Sequence, residues 1–299
     1  MKILITGING MLGNKIASSL VHGHDHKLFG LARSKTYEIP NIVYYYLDLT
    51  NQEDLKNNLN DISPDIIIHC AANVNITDCE NNKEKAFSLH VETSKTLALH
   101  NPHARIIYIS TDSVYDGIQG NYKESDTTKP INYYAQTKLL GEQAILQNNS
   151  NALILRTNIY GFVKPMKSSL AEWAITRLEK NNESIMGFRD VFFNPLYTGQ
   201  VAGLLPYFFN SLYQGILNLG TQEHISKYDF LIKIAEVFNF KKELITKNSV
   251  SDIEALKNRP RNTTLNTCNL ESQLKFSFSI NEGIELMYQD YKKSFHEYN

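Results

Sequence analysis

Tyr134 and Lys138, in the stretch YYAQTK (residues 133–138), are a tyrosine and a lysine whose spacing suits proton transfer. A free phenol has a pKa of about 10, and a neighbouring ammonium favours the phenolate and lowers that pKa. On a helix, residues four apart share a face, whereas Tyr133, five residues before Lys138, faces elsewhere. The spacing therefore favours Tyr134 over Tyr133 as the group that gives or takes a proton.

Three copies of this Tyr-x-x-x-Lys spacing occur in the chain, so the surrounding sequence has to distinguish them. The lysine that partners Tyr160 precedes a proline, which disfavours a helix there. Tyr288 lies in a polar helix near the C-terminus. Tyr134 instead opens a predicted helix after a predicted strand, at the sheet edge where doubly wound folds bind ligands. This copy is therefore the predicted catalytic pair.

A hydroxyl group could complete the catalytic set at the end of the fifth predicted strand. The strand Arg105–Ser110 is followed by a Thr-Asp-Ser run, residues 111–113. A hydroxyl at this edge can hydrogen-bond a substrate oxygen beside Tyr134, although Ser-Thr-Asp is also ordinary turn chemistry. Position alone leaves Ser110, Thr111 and Ser113 open as the donor.

The N-terminal region carries a glycine-rich loop between a predicted strand and a predicted helix. Its glycines are residues 7, 10 and 13. Glycine permits the tight turn, its missing side chain lets a pyrophosphate approach, and the helix N-terminus offers free N–H groups. The alternative is a tight turn without a ligand. The residues expected to contact a dinucleotide are Gly7, Asn9, Gly10, Met11 and Leu12.

The end of the second predicted strand, Lys27–Ala32, bears on which dinucleotide would bind. An NAD site usually has an acidic residue about 20 residues beyond the glycine loop, where it bonds the ribose hydroxyls. Here Ala32 takes that place and Arg33 follows. An arginine without an acid favours the 2′-phosphate of NADPH, with NADH as an alternative. Arg33 could also be simply solvated.

Residues after the third and fourth predicted strands complete the candidate cofactor site. Asp48 and Leu49 lie at the end of the third strand. The carboxylate of Asp48 could accept a hydrogen bond from the adenine amine, or it could cap the helix that begins at Gln52. Ala71 and Ala72 follow the fourth strand with small side chains, which leaves room for a cofactor.

Apolar runs alternate with helical stretches over the first half of the chain, which predicts an α/β protein with a Rossmann-type, doubly wound parallel sheet. Runs that are apolar on both faces suit a parallel sheet covered by helices. The predicted strands are Lys2–Thr6, Lys27–Ala32, Ile42–Leu47, Asp65–Cys70, Arg105–Ser110 and Ala152–Thr157. The predicted helices are Met11–Leu20, Gln52–Leu59, Glu80–His100 and Tyr134–Gln147.

The second half has a looser pattern, which predicts a smaller C-terminal substrate-binding lobe. We expect a dinucleotide-binding domain over residues 1–161, to whose sheet segments of about 191–220 return. The substrate-binding lobe is expected over residues 162–190 and 221–299. The predicted elements are strands Val191–Phe193 and Ile216–Leu219, helices Ser168–Glu179, Thr198–Phe209, Ser226–Phe238 and Ile284–Tyr291, and a polar linker Lys247–Asp252.

Composition narrows the class of protein. The chain has 299 residues, 42% hydrophobic and 20% charged, with a formal net charge of -1. This balance gives no basic patch for nucleic acid or an anionic membrane surface, and no apolar run is long enough for a membrane span. The three cysteines have neither the spacing of a metal site nor an even count. We expect reduced thiols in a cytoplasmic protein without a metal.

In combination, these motifs resemble the extended short-chain dehydrogenase/reductase family, and more narrowly its dTDP-4-dehydrorhamnose reductase group. The resemblance spans most of the chain. It is carried by the glycine loop, HCAA (residues 69–72), STDSVYDG (110–117), KPINYYAQTKLLGE (129–142) and the arginine–proline segment RPRNTTLNT (259–267). It implies a reductase of a 4-keto-6-deoxy nucleotide sugar in deoxysugar or surface polysaccharide biosynthesis, with a homodimer as a possible assembly.

The resemblance also implies roles for individual residues. Tyr134 would be the general acid, and Lys138 would bind the nicotinamide ribose and tune the tyrosine. Thr111 would bond the substrate carbonyl, which moves the preference from Ser113 to Thr111. Asp112, Asn73 and Arg259 would be substrate-binding residues, Arg259 at the sugar's diphosphate.

The chain departs from the family pattern at His90-Val91, where many members carry Asn-Val. The asparagine often supports a water relay behind the lysine. His90 either takes over that task or packs in the core. Two other functions stay open: a nucleotide-sugar epimerase or ketoreductase acting at another carbon, and a non-catalytic, NADP-binding regulatory subunit. The intact set of Thr111, Tyr134 and Lys138 counts against the regulatory subunit.

Overall fold

The structure is a computed structural model that describes residues 1–22, 26–36, 38–163, 169–181, 183–253 and 260–295. Within these ranges the chain forms thirteen strands and eleven α-helices. The strands of the first half are β1 (Lys2–Thr6), β2 (Lys27–Ala32), β3 (Ile42–Tyr46), β4 (Ile66–His69), β5 (Arg105–Thr111) and β6 (Ala152–Thr157). The helices of the same half are α1 (Met11–Val21), α2 (Gln52–Ile62), α3 (Ile76–Asn81), α4 (Lys83–Phe87), α5 (Thr93–His100) and α6 (Tyr133–Asn148).

The second half contributes shorter strands and five helices. Its strands are β7 (Ile159–Tyr160), β8 (Ile185–Phe188), β9 (Phe192–Phe193), β10 (Leu196–Tyr197), β11 (Gly215–Leu219), β12 (Ile225–Ser226) and β13 (Ile245–Asn248). Its helices are α7 (Leu170–Ile175), α8 (Thr198–Phe209), α9 (Lys227–Phe238), α10 (Cys268–Leu274) and α11 (Ile280–Phe295). No helix in the described part of the chain is both long and apolar enough to cross a membrane.

The central sheet has seven strands in the order β11-β6-β5-β4-β1-β2-β3. The pairs β1–β2, β2–β3, β1–β4 and β4–β5 are parallel. Strand order reverses at β1, so the carboxyl ends of β1 and β4 flank the crevice where doubly wound sheets bind their ligands. The predicted Rossmann-type α/β fold is confirmed.

Burial explains why these segments are strands of a covered sheet. Every residue of β4, β5 and β6 is buried. One apolar cluster joins strand residues such as Leu4, Ile67 and Ile106 to Leu55 of α2 and Leu97 of α5. Both faces of the inner strands are thus shielded from water, which accounts for sequences that are apolar without alternation.

The chain divides into two compact units. Residues 1–114, 128–156 and 202–217 form the first unit, and residues 115–127, 157–201 and 218–299 form the second. The second unit contains the two-stranded pairs β7–β10, β9–β12 and β8–β13, and an aromatic core that includes Tyr160, Phe230 and Tyr291. The predicted boundary at residue 161 stays a prediction, because a compact unit need not coincide with a domain that binds one ligand.

The structure differs from the sequence expectation in three segments. The predicted helix Glu80–His100 is instead α3, α4, a π-helical segment Ser88–Glu92 and α5, with a break at Asn82, whose φ is -125°. The predicted helix Ser168–Glu179 is the short α7 followed by a π-helical segment Thr176–Asn181. The predicted linker Lys247–Asp252 begins inside β13, which pairs with β8; its exposed polar residues gave no apolar pattern.

Candidate active site

The glycine loop is held tightly against the end of β4. Gly7 has a φ of +66°, a conformation that favours glycine, and a β-carbon there would lie 2.8 Å from the Cα and N atoms of Ala71. A β-carbon at Gly13 would lie 2.4 Å from the Gly7 carbonyl oxygen. These two glycines therefore bring the loop, α1 and β4 together, and substitution at either position meets backbone.

Gly10 has a different place in the loop. It precedes α1 as its N-cap residue, without a side chain to bond the first N–H groups, and the first turn of α1 carries no acidic residue. Met11 and Leu12 begin the helix, and Leu12 is buried. Unbonded N–H groups and a positive helix end beside a bare loop suit a phosphate group, so these residues fit the pyrophosphate of a dinucleotide.

Two side chains frame the end of β2 and β3, where an adenosine ribose would lie in a doubly wound fold. The amide of Asn9 donates to the Ser34 carbonyl at 2.9 Å, which fastens the glycine loop to the segment after β2. Arg33 is exposed, and its charge together with that of Lys85 helps to lower the pKa of Asp48. Arg33 is thus beside the predicted site and is available to an anion.

Asp48 makes a local turn and does not cap a helix. Its carboxylate accepts the Thr50 backbone N–H at 3.0 Å and the Thr50 hydroxyl at 2.8 Å, and these bonds are the main reason why its pKa is lowered. Asn51 is the N-cap of α2, so the alternative that Asp48 caps this helix is wrong. The side-chain oxygen of Asn51 accepts the Asp54 N–H in the first turn of α2. Asp48, three residues before Asn51, bonds Thr50 instead.

The remaining cofactor candidates line the carboxyl ends of β3 and β4. Leu49 is buried, and its carbonyl accepts from the Thr93 hydroxyl at 2.9 Å. Ala71 is buried and donates its N–H to the Thr6 hydroxyl at 3.2 Å, while Ala72 is partly exposed. The small side chains at 71 and 72 agree with room for a cofactor at this edge, which stays a prediction.

Thr111 and Tyr134 meet through their hydroxyl groups. Thr111 is the last residue of β5, and Tyr134 lies in the first turn of α6, whose N-cap Asn132 accepts the Ala135 N–H at 2.9 Å. Burial raises the pKa of the Tyr134 phenol, the hydrogen bond with Thr111 opposes that change, and the Asp112 carboxylate adds to it. The phenol is therefore protonated at neutral pH, which is the form that can donate a proton.

Lys138 lies on the same helix one turn after Tyr134, and its side chain is buried. Its ammonium donates to the Ile109 carbonyl at 2.7 Å and stands 3.9 Å from the centroid of the Tyr108 ring. Burial lowers the pKa of Lys138 to about 7, against an opposing effect of the Glu142 carboxylate. The spacing suggested that Lys138 lowers the pKa of Tyr134. In the structure the pKa of Tyr134 is raised instead, because burial of the phenol is the largest effect on it.

Asp112 and Asn73, two predicted substrate residues, are engaged within the first unit. Asp112 is buried and contacts the hydroxyls of Thr111 and Ser113 at 3.2 and 3.3 Å. The side-chain amide of Asn73 donates to Asp78 and accepts the Asn75 N–H at 3.2 Å. Arg259, the predicted diphosphate ligand, lies outside the described residues.

His90 is a buried neutral imidazole that links this loop to the catalytic helix. Its Nε2 accepts the Asn73 backbone N–H at 2.9 Å, so the ring proton is on Nδ1, which lies 2.8 Å from the Thr137 hydroxyl. Its ring also meets the Tyr134 ring edge-on, with centroids 5.9 Å apart. Burial lowers its pKa to about 3. His90 thus both packs against the Tyr134 ring and forms hydrogen bonds with Asn73 and Thr137.

Sequence reasoning missed a buried polar layer beneath the catalytic set. The Ser110 hydroxyl donates to the Glu142 carboxylate, which also pairs with Arg156 of β6 at 2.7 Å. On the other side, His69 at the end of β4 bonds the Thr6 hydroxyl at 2.6 Å. Glu142 follows Lys138 by four residues, so the spacing that identified the tyrosine and lysine could also have identified the glutamate.

The competing tyrosines have other surroundings. Tyr133 donates its backbone N–H to Glu80, and the ammonium of Lys83 lies 5.1 Å from its ring centroid. Tyr160 belongs to β7, and Tyr288 packs in the aromatic core of the second unit. In the described part of the chain, no group of three or more His, Cys, Asp or Glu side chains could hold a metal ion.

Comparison with known proteins gives the relatives of this chain. The family model described as RmlD substrate binding domain matches residues 1–293. The chain is 29% identical over 97% of its length to the probable low-salt glycan biosynthesis reductase Agl14 of Haloferax volcanii, of which it covers 99%. It is 28% identical over 90% of its length to the dTDP-4-dehydrorhamnose reductase of Aggregatibacter actinomycetemcomitans, of which it covers 92%. It is 31% identical over 80% of its length to methionine adenosyltransferase 2 subunit beta of Xenopus tropicalis, of which it covers 72%.

Two solved structures resemble the whole chain. A hypothetical dTDP-4-dehydrorhamnose reductase from Sulfolobus tokodaii is 28% identical with a TM-score of 0.80, and the match covers 94% of this chain and 98% of that one. The dTDP-4-dehydrorhamnose reductase of Bacillus anthracis, in complex with NADP, is 24% identical with a TM-score of 0.82, covering 97% and 99%. The second likeness supports the fold. With a family model that spans nearly all of its sequence, the chain belongs to the RmlD substrate binding domain family.

Proposed function

We propose that this protein is an NADPH-dependent reductase of a 4-keto-6-deoxy nucleotide sugar, in the manner of dTDP-4-dehydrorhamnose reductases. The observation that carries the proposal is the contact between the Thr111 and Tyr134 hydroxyls, with the buried Lys138 one helical turn away. The set lies at the carboxyl end of β5, the edge to which the glycine loop also belongs. Two relatives that span nearly the whole chain are named as reductases, which supports the same reaction class.

The chain's own residues suit the reduction of a ketone. Bound NADPH would supply a hydride to the ketone carbon. Tyr134 donates its proton to the ketone oxygen, and burial keeps the phenol protonated until that step. The Thr111 hydroxyl, already hydrogen-bonded to the phenol, binds the same oxygen and orients it. Asp112, fixed against Thr111 and Ser113, limits the rotation of the Thr111 side chain.

The cofactor site fits a dinucleotide at three points. The N-terminus of α1 and the bare Gly10 would hold the pyrophosphate, and the Asp48 carboxylate, held by Thr50, would face the adenine. Arg33 is exposed and would pair with a 2′-phosphate, which supports NADPH over NADH. Lys138 would bind the nicotinamide ribose. NADP is named with a reductase of the same fold.

Substrate recognition falls to residues near the catalytic set and to the C-terminal segments. We propose that Asn73 and Asp112 contact the sugar, Asn73 after exchanging its bond with Asp78. Arg259 would bind the diphosphate of the nucleotide. The predicted lobe over residues 162–190 and 221–299 would hold the nucleotide. A role in deoxysugar or surface polysaccharide biosynthesis follows from such a substrate.

The test is the oxidation of NADPH, followed by absorbance, with a panel of nucleotide 4-keto sugars. Tyr134→Phe should lower kcat by about 10²- to 10⁴-fold, because it removes the proton donor, while NADPH binding measured by fluorescence stays unchanged. Tyr133→Phe is the matched control, since its phenol is one residue away and has no role in the proposed reaction. It should retain near-normal turnover.

Three results would contradict the proposal. Equal losses in Tyr133→Phe and Tyr134→Phe would remove the assignment of the acid. Near-full turnover in Tyr134→Phe would do the same. Tight NADPH binding without turnover of any keto sugar, together with a protein that co-purifies, would favour a cofactor-binding subunit instead. The Xenopus tropicalis relative is named as a subunit.

A further inference from the structure

Glu142, Arg156 and Ser110 form a buried cluster, which we call the Glu142 cluster. Glu142 is 1% exposed and Arg156 is 2% exposed. The Arg156 Nε lies 3.1 and 3.2 Å from the two carboxylate oxygens, and its Nη2 lies 2.7 Å from Oε2. The Ser110 hydroxyl donates to Oε1. The carboxylate is therefore fixed from β5 and β6 at once and has no freedom to turn to solvent.

The cluster is continuous with the catalytic set along α6. Tyr134, Lys138 and Glu142 are spaced by four residues, which puts them in a row on one helix face. Ser110 is the residue directly before Thr111 on β5. The same three elements thus carry the hydroxyl, the phenol, the ammonium and, behind them, the carboxylate.

The other titratable groups that face Lys138 are uncharged at neutral pH. From β4, the pKa of His69 is lowered by burial and that of Cys70 is raised to about 12. From the π-helical segment, the pKa of His90 is lowered to about 3. From β5 and α6, burial raises the pKa of the Tyr108 and Tyr134 phenols. Of the described groups around Lys138, Glu142 first and Cys70 second favour the protonated amine. Because the pKa of the Cys70 thiol is raised to about 12, the negative charge at neutral pH comes from Glu142.

We propose that Glu142 is a positioning residue for the proposed reduction: held by Arg156 and Ser110, it supplies the negative charge that keeps the buried Lys138 side chain protonated and directed at the Ile109 carbonyl. The expected effect of Glu142 on turnover rests on the proposed function. The expected effect of Glu142 on the protonation of Lys138 does not. A neutral amine would have one proton fewer to share between the Ile109 carbonyl and a ribose hydroxyl.

A purely structural role for the cluster makes a different prediction. A buried ion pair can often be replaced by apolar side chains of similar volume without loss of stability, whereas removal of one partner leaves the other charge unpaired. The double variant E142L/R156M tests this directly. If the cluster only ties β6 to α6, apolar packing substitutes for it and Lys138 keeps its titration.

The experiment is a pH titration of Lys138 by NMR, in protein labelled with ¹³C at the lysine ε-carbon. Loss of one signal in Lys138→Met assigns the resonance. In the wild type, the midpoint should lie near the pKa of about 7 given by burial and Glu142. In E142L/R156M it should fall by about one pH unit or more. The exposed Glu84→Gln is the control and should leave the midpoint unchanged.

Folding and turnover are measured separately, so each failure has its own meaning. Circular dichroism and the thermal midpoint establish that the double variant is folded; if it is not, E142Q/R156Q, which keeps polar groups of similar shape, takes its place. An unchanged Lys138 midpoint in a folded variant overturns the inference, whatever the turnover. If the wild type reduces no keto sugar, the proposed function fails while the Lys138 midpoint still decides the role of Glu142. Where turnover is present, raising the pH should abolish it as Lys138 loses its proton. In the double variant, whose Lys138 pKa is expected to be lower, this loss should occur at a lower pH than in the wild type.

Discussion

Lowering the pH from about 8 to about 5 should destabilise this protein because two buried histidines are bonded as neutral rings. His90 accepts the Asn73 N–H on Nε2, so a second ring proton would face a backbone N–H group. His69 bonds the Thr6 hydroxyl through Nδ1 and lies 3.3 Å from the Ser94 hydroxyl through Nε2. The Ser94 hydroxyl donates to the His90 carbonyl, so towards His69 it can only accept, which suits a neutral ring with its proton on Nε2.

The magnitude follows from the difference in proton affinity between the folded and unfolded chain. Burial lowers the pKa of His90 from 6.5 to about 3. A group whose folded pKa is depressed contributes stability that is complete above its unfolded pKa and is lost as the pH falls toward its folded pKa. For His90 the loss between about pH 8 and pH 5 is about 2 kcal/mol. His69, whose pKa is also lowered by burial, adds to the loss in the same direction.

The assay is urea unfolding at several pH values between about 5 and 8, with the free energy of unfolding extrapolated to water. In that window the paired carboxylates contribute little, because Asp48 and Asp190 have an ordinary pKa of 3.8 in the unfolded chain and lowered values in the folded one. Lys138, whose pKa is lowered from 10.5 to about 7, adds to the loss down to about pH 7 in the wild type and in a histidine variant alike. His90→Gln retains an acceptor for the Asn73 N–H but does not titrate. It should have a shallower dependence on pH, by up to about 1.4 kcal/mol per pH unit.

His103→Asn is the control, because His103 is exposed and its removal should leave the slope unchanged. A wild-type free energy of unfolding that is the same at about pH 5 and pH 8 would refute the reasoning. So would an equal slope in His90→Gln and the wild type, since the protonation of His90 would then not be what unfolds the protein.

Two further predictions concern the cofactor site. Gly7→Ala should destabilise the protein by about 1–2 kcal/mol or more, because a left-handed φ and the Ala71 backbone at 2.8 Å both oppose a β-carbon. Gly203→Ala is the control: it lies in α8, a β-carbon there would have nothing within 4 Å, and the change should stabilise the protein by about 0.5–1 kcal/mol. Thermal unfolding of the two variants should show changes of opposite sign. Arg33→Ala should weaken NADPH binding about tenfold or more and leave NADH binding nearly unchanged, measured by fluorescence titration, and equal losses would remove the reason for preferring NADPH.

The sequence predicted the sheet well because buried parallel strands have a strong signature. All six predicted strands of the first half lie within one residue of β1 to β6 at each end. Short strands of the second unit escaped prediction for the opposite reason. β8 and β13 have exposed residues such as Met186 and Lys247, and their pairing is decided by partners about 60 residues away. A local pattern contains no information on such pairing.

The candidate site divides in the same way. Gly7 and Tyr134 could be predicted because each depends on local geometry, a turn in one case and a helix face in the other. The role of Asp48 as a turn residue and not a helix cap could not, because Asn51 three residues later competes for the same N–H groups. His90 depends on Asn73 and Thr137, which are brought together only by the fold.

The direction of the pKa shifts of Tyr134 and Lys138 could be found only from the structure. For Tyr134 it is opposite to the direction expected from the spacing. Spacing alone suggests that Lys138 lowers the pKa of Tyr134, which would favour a base. In the folded chain, burial raises the pKa of the phenol and lowers that of the amine, so each group moves toward its uncharged form. A protonated phenol suits a reductase, whose acid must deliver a proton to the ketone oxygen. Burial would lower the pKa of the amine further if no anion opposed it, and Glu142, one helical turn away, supplies that opposing charge. Proton donation at Tyr134 and charge retention at Lys138 therefore depend on different parts of the same helix.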